Sequence, residues 1–311
     1  MNMYESWFYF VINMSISGSI VILLLMIVRQ IKMIPKRLIY GLWSAALIRM
    51  LLPFAISSSI SVFNYLSGLI KRLIPVGSLF YTDFTFSNYF NAALSYNPME
   101  YRTQRFERVF GISSVIWWIG VCISLLGIII FYYSTVHRYK NAIHLRANIY
   151  EDKNAFSPFL LGFRNPKIIF PVGMDVNSSQ AAHIIAHEKT HMQRMDNLWR
   201  VIGLIAVCIH WFNPIAWIGF SLFLKDMELS CDEAVIKAYD FVKKKEYAGT
   251  LLSIAGNIQN KGIVHASFGE SDTRSRVLHV MTYRRLSILG VIVSIIFLLL
   301  IVVMLLTNPY I

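Results

Sequence analysis

The sequence predicts a mainly α-helical membrane protein with four transmembrane helices and a cytoplasmic α+β domain between the third and the fourth. Three observations carry this reading. Of 311 residues, 56% are hydrophobic and 15% charged, and the mean hydropathy is +0.54, too apolar for an ordinary soluble domain. Four runs, residues 7–28, 38–63, 110–133 and 286–306, are each long enough to cross about 30 Å of hydrocarbon. Between the last two lies a more polar stretch, 134–285, long enough for a compact domain.

The first connector is short and basic, with Arg29, Lys32, Lys36 and Arg37, and therefore belongs on the cytoplasmic side. That choice sets the rest. The N-terminus, the loop over 64–109 and the C-terminal tail fall outside, and residues 134–285 fall inside. The chain then divides into 1–133, the first three membrane helices with their outer loop; 134–285, the cytoplasmic domain; and 286–311, the fourth membrane helix with a short tail. The net charge of +12 comes from basic residues gathered at the ends of apolar runs, where topology and anionic headgroups account for them. A lipid bilayer is thus an expected partner, and direct nucleic-acid binding is not expected. Cys122, Cys208 and Cys231 are an odd set, two of them in apolar segments, so no disulfide framework is implied. The first run is long enough to span and lacks a basic leading stretch, so no cleaved signal peptide is expected.

In the second run, Arg49 and Pro53 interrupt the apolar pattern. A charge near mid-membrane is costly unless it is bonded. Arg49 is read as structural, donating to carbonyls freed by Pro53, with a hydrated proton path as the alternative. Trp7, Trp117 and Trp118 are candidate interface anchors, although the pair lies deep enough for helix packing.

In the domain, residues 156–171 place Gly162 and Asn165-Pro166 between two short β-rich arms, which predicts a hairpin. Asn177 followed by Gln180 resembles a capping box and opens a helix. That helix carries His187-Glu188-Lys-Thr-His191. Two histidines four apart share a face, close enough for both rings to reach one zinc ion. Glu188, at the flank of that face, is suited to hold a water and take its proton. At this composition the pattern is expected about 0.006 times by chance. A hydrolytic zinc needs a third protein ligand and an open position. Glu228 is the best candidate, with Asp232 one turn later to fix a histidine tautomer; Cys231 is the weaker alternative. One zinc per chain is expected. Residues 198–224 separate the two halves. A single crossing would put Glu228 on the wrong side, so this stretch is expected to be a membrane-associated helical hairpin turning at Asn213-Pro214. The arm Phe159, Leu160 and Leu161, following Pro158, is the candidate edge strand for an extended peptide substrate.

These residues resemble the BlaR/MecR-type antirepressor membrane metallopeptidases. The resemblance rests on Ser157-Pro-Phe-Leu-Leu-Gly, Asn165-Pro-Lys-Ile-Ile-Phe-Pro171, His187-Glu-Lys-Thr-His191, Asp196, His210-Trp-Phe-Asn-Pro214 and Glu228-Leu-Ser-Cys-Asp232. It implies a gluzincin domain between the third and fourth membrane helices, with His187, His191 and Glu228 on zinc, Glu188 as general base and Asp232 in support. It also implies an endopeptidase in signal transduction that cuts a cytoplasmic DNA-binding repressor, or itself, in antibiotic-resistance regulation. A homodimer is compatible with that reading. The sequence ends at Ile311 without the penicillin-binding sensor that β-lactam-sensing members carry, and it contains no Ser-x-x-Lys, so antibiotic sensing is not expected of this stretch alone. Two alternatives remain at this level: a housekeeping protease of the heat-shock or prenyl-protein type, and a catalytically silent receptor or scaffold.

Overall fold

The computed structural model describes residues 3–31, 34–53, 55–65, 104–162, 164–259, 266–284 and 287–308. Much of the expected outer loop over 64–109 lies outside these. The elements are α1 (Met3–Val28), α2 (Lys36–Leu51), α3 (Gln104–Arg138), β1 (Ile143–Arg146), β2 (Ile149–Asp152), β3 (Phe159–Leu161), β4 (Lys167–Pro171), α4 (Ser179–Gln193), α5 (Asp196–Ile209), α6 (Pro214–Ile236), α7 (Phe241–Gln259), α8 (Ala266–Thr282) and α9 (Ile288–Leu306).

Among the described residues, three helical stretches are long and apolar enough to cross a membrane: Tyr4–Val28, Val109–Arg138 and Leu289–Leu306. The protein is a membrane protein and mainly helical. Isoleucines 112, 116, 119, 123, 129 and 130 of α3 are exposed, which suits a lipid-facing helix. The second run, expected as one span over 38–63, is continuously helical only as far as Leu51. Leu52 is extended, φ −108° and ψ 121°, because Pro53 disfavours helical geometry in the residue before it. Sixteen residues rise about 24 Å, less than the apolar thickness. Arg49 is buried. Its Nη1 donates to the carbonyl of Leu306, released by the end of α9, and its guanidinium lies 4.4 Å from the centroid of Phe63. Trp117 is a packing residue, donating to the Ile209 carbonyl at 2.8 Å.

The bundle core joins α1, α2, α6 and α9 through Ile22, Leu25, Leu42, Trp43, Met50, Phe223, Met227 and Leu298. The domain has a four-stranded sheet of order β1-β2-β4-β3, with β2 and β4 parallel and the other pairs antiparallel. The β3–β4 hairpin is present where the turn residues predict it, with Gly162 at φ 85°. Strands β1 and β2 are short and escaped the sequence reading. Ile149, Ile168 and Phe170 of the sheet pack on Ala181 and Ile184 of α4, which fixes the angle of the motif helix.

Candidate metal centre

The site helix starts one residue later than its capping pattern suggests. Ser178, not Asn177, is the N-cap, its Oγ accepting from the Ala181 amide at 3.1 Å. From there, Ala181 and Ile184 face the sheet while His187 and His191 face α6. After α4 the chain turns through Met195 in the left-handed region, φ 54° and ψ 38°, and α5 begins at once with Asp196. Helix α5 is 14 residues long and ends at His210, whose Nε2 lies 2.9 Å from the Met50 carbonyl. Asn213 caps α6, accepting from the amides of Ile215 and Ala216, with Pro214 in the first turn. Its Nδ2 also donates to Ser15 and Ser19 of α1, both at 2.7 Å, so the tip of the hairpin is pinned to the membrane bundle. Helix α6 then returns past the bundle, bringing Glu228 to α4.

There, three donor atoms meet. His187 Nε2 and His191 Nε2 are 3.0 Å apart, Glu228 Oε2 is 3.3 Å from the first, and Glu228 Oε1 is 3.5 Å from the second. The edge of a tetrahedron with bonds of about 2.0 to 2.1 Å is about 3.3 Å, so this donor set fits a zinc ion. The tautomers agree. Asp196 Oδ2 lies 2.6 Å from His191 Nδ1 and can only accept. Tyr247 donates its single hydroxyl proton to Asp232 at 2.6 Å, so its oxygen accepts from His187 Nδ1 at 2.9 Å. Both Nδ1 atoms thus carry hydrogen, and both Nε2 lone pairs point at one another and at a carboxylate. Such a cluster requires positive charge.

The electrostatics say the same. Burial would push His191 down, but its bonds to Asp196, Cys231 and Glu228 outweigh it and raise it to about 11. Burial likewise opposes, and the acidic neighbours Tyr247, Cys231 and Asp232 more than reverse, the shift of His187, which is held well above the ordinary imidazole value. Glu228 is held well below the usual carboxylate range, against its burial, by the two histidines and Arg276. Glu188 moves the other way: burial raises its carboxyl, which suits a group that must accept a proton near neutrality.

Asp232 is fully buried, and its carboxylate is held by Arg276 Nε and Nη2, both at 2.8 Å, and lies 3.3 Å from His187 Nδ1. Arg276 also places Nη1 3.3 Å from Glu228 Oε2 and Nη2 3.3 Å from His187 Nε2. Arg200 of α5 pairs with Glu228 Oε1 at 2.6 Å. Cys231 belongs to the same cluster, its sulfur within 4.8 Å of donor atoms of both histidines. Its Sγ lies 3.4 Å from the His187 carbonyl and donates there, whereas Glu228 turns both oxygens toward the Nε2 atoms. This geometry favours Glu228 over Cys231 as the third donor.

The cluster floors a cleft of about 390 Å³. Its walls include Pro158, Phe159 and Leu160 on one side and Leu251, Ile254 and Thr250 of α7 on the other, with Glu188 and Arg276 reaching in. Strand β3 is an edge strand. Of its three residues expected to meet substrate, Phe159 and Leu160 line this cleft, whereas Leu161 lines a separate groove with Gly162, Arg164 and Lys167. Asn197 Nδ2 donates to the carbonyls of Leu160 and Gly162, at 3.1 and 2.8 Å, so these face away from β4. By the alternation of an antiparallel ladder, the outward edge donor is then the amide of Leu160 rather than that of Leu161.

Sequence reasoning assigned no place in the site to Arg276, Arg200 or Tyr247. Their distance in sequence from the motif hides them. Asp196 entered only through the resemblance, though its five-residue step from His191 at the start of a new helix was a usable signal.

A family model described as BlaR1 peptidase M56 matches residues 9–280, from α1 into α8. The regulatory protein BlaR1 of Bacillus licheniformis is 31% identical over 97 residues, 31% of this chain and 16% of that protein. The methicillin resistance mecR1 proteins of Staphylococcus aureus and Staphylococcus epidermidis are each 24% identical over 136 residues, 42% of this chain and 23% of theirs. The matched part spans less than a quarter of each of these relatives. The family match covers the bundle, the histidine helix and the acidic helix together, and the chain belongs to the BlaR1 peptidase M56 family.

Proposed function

We propose that this protein is a membrane-embedded zinc endopeptidase of a signalling system, with its domain on the cytoplasmic side and both termini outside. The observation that carries the reading is the convergence of His187, His191 and Glu228 beside Glu188 in a cleft walled by an edge strand. The three ligand groups would hold one zinc, which when bound supplies Lewis acidity toward a water and a peptide carbonyl. Glu188 takes the proton of the attacking water and returns it to the departing amine. Arg276, fixed along one edge by Asp232, offers Nη1 to the oxygen on which charge develops. An extended peptide lies along β3, accepting a main-chain bond from the Leu160 amide that depends little on its sequence, and Leu251 and Ile254 receive an apolar side chain.

The substrate class follows from resemblance. The relatives are regulatory and resistance proteins, which favours a cytoplasmic repressor, or the chain itself, over housekeeping turnover. The test compares cells carrying wild type and Glu188→Gln by sequencing new protein N-termini, together with elemental analysis of both purified proteins. One zinc per chain in both, with cleavage products confined to wild type, is the expected result; equal products in the two, or zinc-free wild type, overturns the reading. Cysteine labelling at Asp175 and Lys237 should report cytoplasm at both, and opposite sides would exclude the proposed topology.

A further inference from the structure

Asp196 belongs to two bodies at once. Its Oδ2 accepts from His191 at 2.6 Å, and its Oδ1 accepts from the hydroxyl of Tyr40, 2.8 Å away on α2. The carboxylate is fully buried. The Tyr40 ring is itself fixed, stacked on Phe223 of α6 with centroids 5.7 Å apart and covered by the Arg194 guanidinium at 4.4 Å. Two more acids tie the same end of α2 to α6, on either side of Glu228. Asp226 accepts from Arg29 at 2.8 and 3.0 Å and from Trp43 at 3.0 Å. Glu233 accepts the amides of Lys36 and Arg37, at 2.9 and 3.1 Å, where the first turn of α2 leaves its donors open.

We propose that Tyr40 is a positioning residue for the metal site, so that the place of α2 in the membrane bundle sets how firmly His191 is presented. This rests on the metal-centre reading above. A carboxylate with one oxygen on the imidazole can rotate about its last bond; the Tyr40 hydroxyl at 2.8 Å on the other oxygen, where Arg194 Nε also lies at a looser 3.4 Å, restrains that rotation. Partners one shell out from a metal ligand typically change affinity by about 10- to 100-fold. Tyr40 acts one bond further away, so about 3- to 10-fold is expected for losing its hydroxyl. The ring, the bundle and the ligands stay in place. A shift of α2 by a fraction of a turn would have the same effect, since the Tyr40 hydroxyl is the α2 group that bonds Asp196 among the described residues.

The experiment measures zinc affinity by chelator competition on the full chain in detergent or nanodiscs, for wild type, Tyr40→Phe, Asp196→Asn and the double variant, with Trp43→Phe as control. Trp43 makes the neighbouring bond from α2 to α6 but does not touch Asp196. Tyr40→Phe should bind zinc 3- to 10-fold more weakly with an unchanged melting midpoint without metal, and should add nothing in the Asp196→Asn background. Wild-type affinity in Tyr40→Phe overturns the proposal, as does full additivity with Asp196→Asn or an equal loss in Trp43→Phe, either of which would trace the effect to packing. Wild type that binds no zinc overturns the metal-centre reading instead.

Discussion

His187 and His191 lie one turn apart on α4 and present the same ring atom to the same point, yet different parts of the molecule hold them. Behind His191 stand Asp196, first residue of α5, and Tyr40 of α2. Behind His187 stand Tyr247 of α7, Asp232 of α6 and Arg276 of α8. The first arm is short and leads into the membrane bundle. The second is longer and leads into the helices that follow the site. A metal ion bound between them would be a joint between the bundle and the helices that follow the site.

The largest expected effect leaves both arms untouched. Glu188→Gln should keep the zinc and lower turnover by about 10³-fold, since proton transfer of this kind is worth about 10²- to 10⁴-fold. His187→Ala with His191→Ala should lose the metal altogether. Zinc content that falls in the Glu188 variant would move that carboxylate into the ligand set and erase the division between ligand and base.

Next come the two arginines, which separate the deep arm from the cleft surface. Asp232 is fully buried, and Arg276 is its charge partner. Arg276→Ala strands that carboxylate and should cost on the order of 3 kcal/mol of stability. Arg200, whose side chain is 38% exposed, pairs with Glu228 at 2.6 Å in a solvated setting, and Arg200→Ala should cost less than about 1 kcal/mol. Chemical denaturation of the metal-free variants measures both. Equal costs would show that Asp232 finds another cation or hydrogen-bond donor.

The contrast between the arms also marks what the sequence could disclose. Local pattern was legible. The four-residue step of the histidines, the glycine and Asn-Pro turn of the β3–β4 hairpin, and the break at Asn213-Pro214 each act within a few residues, and each lies where the pattern puts it. Glu228 was reachable as a candidate because an odd requirement, a third ligand, met an acidic pair with helical spacing, and the fold brings it beside the two histidines. The end of α2 at Leu51 was misread as part of a longer span because apolarity continued past Pro53; backbone sterics outweighed hydropathy there. Arg276 and Tyr40 were not legible. Their roles depend on side chains meeting 44 and 156 residues away in sequence, and only tertiary packing creates those pairs. Strands β1 and β2 are four residues each, too short for a period-two signal to rise above noise.

A smaller effect compares the arms directly. Asp196→Asn should weaken zinc binding by about 10- to 100-fold. Tyr247→Phe should fall at the low end, about 10-fold, because Asp232 already lies 3.3 Å from His187 Nδ1 and can take over the contact. The two losses should add, having no shared partner. Non-additivity would mean that the arms communicate through the ligand pair. The sign of the pH response also follows. His191 without metal holds its proton up to about pH 11, against about 6.5 in the unfolded chain. That proton stabilises the metal-free fold at low pH and the benefit fades as pH rises through 11, so zinc should bind more tightly with rising pH across this window and release protons as it binds. Calorimetry in two buffers of different ionisation enthalpy reads the proton count.

The smallest effect sits at the hinge of the short arm. Met195 has φ 54° and ψ 38°, a conformation that costs an L-residue about 1 to 2 kcal/mol. The residue is 58% exposed, so packing does not hold it there. What does is the backbone: the Met195 carbonyl accepts from the amides of Leu198 and Trp199, at 2.9 and 3.3 Å, starting α5, and the reversal throws Asp196 back onto His191. Glycine at 195 relieves the strain but gives the unfolded chain about 0.5 to 1 kcal/mol more entropy to lose. Met195→Gly should therefore shift stability by less than about 1 kcal/mol, toward greater stability, and leave zinc affinity unchanged. Met195→Val puts a β-branched side chain at positive φ, and should lower stability by more than about 1 kcal/mol and weaken zinc as Asp196 is pulled off line. If glycine weakens the metal as much as valine does, the Met195 side chain matters more than its backbone, and the short arm begins one residue earlier than Asp196.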